Sequence, residues 1–191
     1  MYCKDLLVNL KSFLNMRDNR WLDEKLQYLL KTYFGGVAIT NPLEIRFGRE
    51  AKFRFGSIKL VKKGITSGRG TTSITSYLPR FLLKARGTRD TLGARGTLKA
   101  SETPAKSVIT ITRMFARDDV PADVVLYTIS HELCHYAHGF SSSNKRLFRH
   151  PHHGGVVNRE IKERGGEKYI DAYKKWIKEY RKRILAGRAK I

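Results

Sequence analysis

Residues 121–135 read Pro121-Ala122-Asp123-Val124-Val125-Leu126-Tyr127-Thr128-Ile129-Ser130-His131-Glu132-Leu133-Cys134-His135. Proline is tolerated in a first helical turn, and Asp118 and Asp119 place negative charge where the helix dipole favours it. Val124, Val125, Ile129 and Leu133 follow as an apolar stripe at helical spacing, so the segment predicts a helix with a buried face. The helix ends on the pattern HExxH. Positions i and i+4 lie one turn apart on the same face, which lets the imidazoles of His131 and His135 reach a single metal ion. Glu132, beside the first histidine, is placed to take a proton from an activated water without being a ligand itself.

The neighbourhood strengthens this reading, because all six histidines of the chain lie between His131 and His153. A catalytic zinc site takes three protein ligands and keeps one position open. A continuation with glycine at 138 and histidine at 141 would supply the third ligand, but the chain has His138 and Ser141 there. Glu160 on the next predicted helix is one remaining candidate; His150, His152 and His153 are the others. His138 falls on the same helical stripe but nearly two turns from His131, which suits a supporting or surface role. Cys134 points to another face and reads as a buried core thiol.

Working outward, a strand is expected at Val108–Thr112, just before the helix. Another is expected at Leu43–Phe47, where Leu43, Ile45 and Phe47 alternate with Glu44 and Arg46 after the breaker Asn41-Pro42. A further strand carries Phe53 and Phe55, then Ile58 and Leu60, and its parity changes at Gly56, which predicts a bulge or turn there. Residues 5–34 read as helical, with Asp18 or Asn19 as a cap for the second helix and Gly35-Gly36 at its end. The expected fold is α+β: N-terminal helices, a small, mostly antiparallel sheet of three or four strands, the HExxH helix and a following helix.

At this point the chain resembles the SprT-like (Spartan-type) zinc metallopeptidases. It carries His131, Glu132 and His135, a loop, then His153-Gly154 and Val156-Val157-Asn158-Arg159-Glu160-Ile161 opening the next helix; upstream, a helix ends at Tyr33-Phe34-Gly35-Gly36 before the Leu43–Phe47 strand. The resemblance implies a zincin-like minidomain over 1–166, one catalytic Zn²⁺ held by His131, His135 and His153, Glu132 as the general base, and proteolysis of proteins bound or crosslinked to DNA. Two departures stand out. Gly155-Val156-Val157 replaces the family's proline and aromatic after His-Gly, and with Cys3 and Cys134 as the only cysteines there is no C-terminal zinc ribbon.

Composition bears on partners. The 191 residues hold 38 Lys+Arg against 17 Asp+Glu, a formal charge of +21. Such an excess favours polyanions, nucleic acid first. Residues 62–106 form a basic insertion with ten Lys/Arg against two acids; Arg86 and Arg95 sit there in the near-repeats 85–88 and 94–97, and with Arg89 they are candidate phosphate contacts. Residues 167–191 read as a basic amphipathic helix. Tyr169, Tyr173, Trp176 and Tyr180 suit packing on the core, while Lys174, Lys175, Lys178, Arg181, Lys182 and Arg183 remain available for phosphate. No apolar run is long enough for a membrane span and no signal-peptide core is read. The expected partners are therefore DNA and protein substrates, not membrane, and the expected location is cytoplasmic, including association with the nucleoid. Two other readings fit the same residues: a general metallopeptidase without DNA activation, and a nucleic-acid-binding module with structural zinc.

Overall fold

The computed structural model describes residues 16–61 and 105–187, which belong to one compact unit running over Met1–Lys62 and Pro104–Ile191. The helix expected over 5–14, the basic stretch 62–104, and Arg86, Arg89 and Arg95 lie outside the described residues. Within them the architecture is α+β, with four α-helices and a three-stranded sheet. None of these helices is long and apolar enough to cross a membrane.

Helix α1 spans Asn19–Thr32. Asp18 starts it: its carboxylate accepts from the Trp21 N–H at 2.8 Å, satisfying one of the donors that a helix start leaves without a partner. Leu22, Leu26 and Leu29 repeat at helical spacing and are fully buried. Each such leucine contributes about 1.5–3 kcal/mol by leaving water.

The strands are β1 (Leu43–Phe47), β2 (Gly56–Val61) and β3 (Lys106–Ile111), in the order β1-β3-β2. β3 runs parallel to β1, with Ile109 opposite Ile45, and antiparallel to β2, with Ile109 opposite Ile58. The sheet is therefore mixed rather than mostly antiparallel. The cause lies in β3, whose Ser107, Val108, Ile109 and Ile111 are all buried. A strand apolar on both faces has to be covered on both, so it takes the centre and separates two strands that short spacing in sequence would have paired as a hairpin. Phe53 and Phe55 lie in the connection before β2 rather than in the strand, and the change of parity at Gly56 marks the strand's start.

Helix α2 (Ala122–Ala137) packs on β2 and β3, with α3 (Val156–Glu163) and α4 (Glu167–Leu185) against its other sides. As expected from their spacing, the aromatics of α4 face inward: Tyr169, Trp176 and Tyr180 are buried. Trp176 lies edge-on to Phe55 and to Phe115, at 5.5 Å in each case, and stacks on Tyr180 at 4.7 Å. The last helix is thus part of the same core, not an appendage.

This packing gives a direct test. Trp176→Ala is expected to lower unfolding stability by about 3–5 kcal/mol, read as a lower urea midpoint. Lys182→Ala, on the exposed face of the same helix, is expected to change it by less than about 0.5 kcal/mol. Equal small effects would detach α4 from the fold.

Candidate metal centre

Helix α2 is buried along nearly its whole length, from Val124 to Tyr136. That burial fixes its rotation and turns one face towards a cleft of about 430 Å³ whose walls include Arg54, Ile58, Phe140 and Ser141. His131 and His135 share this face, with ring centroids 4.7 Å apart. The loop that follows α2 comes back over it and adds His152, whose ring centre lies 5.1 Å from that of His131 and 4.7 Å from that of His135. Ligand nitrogens of the three histidines all fall within 4.8 Å of one another, and the group could hold a metal ion.

The third member is therefore His152 and not His153, the residue that the resemblance implied. His153 is exposed and opens the 3-10 turn His153–Gly155. His152 stands just before that turn, also exposed, with its ring against those of His131 and His135, and beyond the turn Val157 and Ile161 are buried and anchor α3 to the core. Gly154 and Gly155, at φ 59° and 69°, make the left-handed steps between loop and helix. His150 is exposed in the loop.

Glu160 is engaged elsewhere. Its carboxylate accepts from Arg164 Nε at 2.9 Å and Nη2 at 2.6 Å, and it pairs with His138 Nε2. His138 is buried, edge-on to Phe148 at 4.7 Å. The third histidine of the stripe thus ties the end of α2 to α3 and does not join the group formed by His131, His135 and His152. Cys134 is a buried free thiol against the Val157 carbonyl, and burial pushes its pKa up, so it remains protonated and inert.

Burial also sets the protonation of the site. It pushes His131 down to about 3 and His135 down to about 4, with neighbouring imidazoles adding to the effect. Both rings are neutral at pH 7 and keep a lone pair free. Nδ1 of His135 is buried and has no hydrogen-bond partner among the described residues. Glu132 is 6% exposed, and burial pushes its carboxyl up to about 7 against the opposing pull of Arg54 and of the Ile58 N–H, which donates to it. Gly56 makes room for this carboxylate: a Cβ there would stand 2.7 Å from Glu132 Oε1 and 2.7 Å from Thr128 Cγ2. The change of parity at Gly56 led to an expected bulge or turn and gave no sign of this contact. Arg54, Tyr127 and Tyr173, which also border the site, carried no sign in the sequence either.

Lys174, Lys175, Lys178, Arg181, Lys182 and Arg183 are all exposed on α4. Comparison with protein-family models, with curated proteins and with solved structures finds no match to this chain.

The assignment of the third histidine is testable by metal competition against a chromophoric chelator. His152→Ala is expected to weaken Zn²⁺ binding by more than the roughly 10–100-fold that follows loss of an outer hydrogen-bonding partner. His153→Ala is expected to leave binding within a few-fold of the parent, and the opposite pattern would return the ligand role to His153.

Proposed function

We propose that this chain is a zinc-dependent metalloendopeptidase of zincin-like design that acts on proteins bound or crosslinked to DNA. The observation carrying the reading is the convergence of His131, His135 and His152 with the buried Glu132 on one helix face beside a cleft. Imidazole nitrogens suit zinc, and a set of three protein donors leaves the fourth tetrahedral position for water or substrate.

Zinc bound there supplies a Lewis acid that lowers the pKa of water to about 7. The chain's own residues do the rest. Glu132 accepts the proton of the attacking water, and burial of its carboxyl favours the protonated form against the opposing pull of a bound cation. The same carboxyl then delivers that proton to the departing amine. The Ile58 N–H steadies the carboxylate between the two transfers. Ile58 of β2 and Pro151 and His152 of the loop after α2 form walls of the cleft.

The DNA half of the proposal rests on charge. The formal excess is +21, and α4 turns six cations outward on a helix whose other face is locked in the core. Fixed cations of this kind contact phosphate without reading sequence. Soluble, nucleoid-associated residence in the cytoplasm belongs to the same proposal.

Two expected outcomes follow. Glu132→Ala retains zinc and loses about 10²–10⁴-fold in turnover when a DNA-binding protein is supplied as substrate with single-stranded DNA. Cleavage without DNA would point to general proteolysis, and zinc bound with no cleavage would make the metal structural. In titrations of single-stranded DNA at increasing salt, log K is expected to fall steeply with log salt, and Lys178→Ala or Lys182→Ala should each reduce the slope by about one. A flat dependence would remove DNA as a partner.

A further inference from the structure

Beside the metal cleft lies a second cavity of about 210 Å³ that shares Arg54, Gly56, His131 and Glu132 with it but is richer in aromatic side chains. Aromatic rings make its walls. Tyr127 of α2 and Tyr173 of α4 stack at 4.2 Å with 23° between their planes, and Phe55 meets Tyr173 edge-on at 6.4 Å. Phe53 stands at the rim, 79% exposed. Thr128, one turn before Glu132, closes the side towards β2, where the absent Cβ of Gly56 leaves the space.

We infer that this aromatic cavity is a specificity pocket that takes one large apolar side chain of the substrate, next to the bond being cut. The inference rests on the peptidase reading above and adds to it the substrate feature recognised. Three observations carry it. The cavity opens onto His131 and Glu132, so a peptide bond over the carboxylate places a neighbouring side chain in the cavity. Its volume is below the roughly 300–1,000 Å³ of pockets that enclose whole small ligands, which fits a single side chain. Its lining differs in composition: Phe53, Phe55, Tyr127 and Tyr173 gather on this side of Glu132, whereas the metal cleft carries His152, Pro151 and Ser141 with the single phenylalanine Phe140, and Arg54 borders both. An apolar side chain seated there would also cover part of Phe53, whose ring otherwise stays in water.

The probes are phenylalanine hydroxamate and glycine hydroxamate, which present the same metal-binding head with and without the side chain. Binding of each to the zinc-loaded protein is measured by calorimetry. Cleavage of a random peptide library by the same preparation gives the residues flanking each cut. The expected result is at least about tenfold tighter binding of the phenylalanine compound, with Phe, Tyr, Leu or Met enriched on one side of the cut. Tyr173→Ala should bring the binding ratio towards one. Phe53→Ser, at an exposed position, should lower it in part, so the inference stays testable if Tyr173→Ala fails to fold. Library cleavage with no side-chain preference and equal hydroxamate affinities would overturn the pocket and leave the peptidase standing. A binding preference abolished by the variants without any cleavage would keep the pocket and remove the peptidase. Equal affinities with no cleavage would remove both.

Discussion

The structure depends on the near-complete burial of helix α2. Val124, Val125, Ile129, Leu133, Cys134 and Tyr136 are each at most 1% exposed, and they meet the sheet, α1, α3 and α4 in turn. A helix held from so many sides has no rotational freedom. The strip carrying His131 and His135 therefore faces the cleft because every other direction is filled. Close packing of this kind tolerates little change in volume, which explains why a glycine stands at 56, where a strand passes directly over the carboxylate of Glu132.

The same burial accounts for the electrostatics. Removing water from around two imidazoles and a carboxyl pushes all three towards their neutral forms. For histidines, neutrality is the state with a lone pair to donate. For the carboxyl it means a proton held more readily than an exposed carboxylate would hold it. One cause thus prepares both kinds of group, and a cation held by the three histidines would lower the Glu132 pKa again by direct attraction. The hydrophobic residues of α2 are in this sense part of the chemistry of the site.

Much of this was legible in the sequence, and the exceptions have physical reasons. Helical periodicity located α1, α2 and α4; Asp18 announced its cap, and the alternation of Leu43, Ile45 and Phe47 located β1. The pattern His131-Glu132-x-x-His135 gave two members of the cluster and the acid, because positions one turn apart are related by helix geometry alone. The choice between His152 and His153 was not legible. It depends on the backbone path of a loop that enters α3 through the left-handed Gly154 and Gly155, and on a core assembled from distant segments. The pairing order of the strands was hidden for a similar reason: local alternation describes one strand, whereas the central place of β3 follows from what covers it on both faces. Glu160 had the right residue type at a plausible distance in sequence, yet Arg164 and His138 hold it on another side of α2.

The loop carrying His152 is tethered at both ends. At its start, Asn41 Oδ1 accepts from the Ser143 N–H at 3.0 Å, Ser142 Oγ donates to the Tyr136 carbonyl at 2.7 Å, and Ser141 Oγ donates to the Ile58 carbonyl at 3.2 Å. At its end, Glu160 is clamped between His138 and Arg164, and Arg164 Nη1 reaches the Tyr33 carbonyl at 3.0 Å. Closing a free loop of this length would charge its ordering entropy to the moment of ligand capture. Here the chain meets that cost when it folds, so the third imidazole stands beside the other two at a high effective concentration. A site assembled in this way gains affinity through preorganisation rather than through additional contacts.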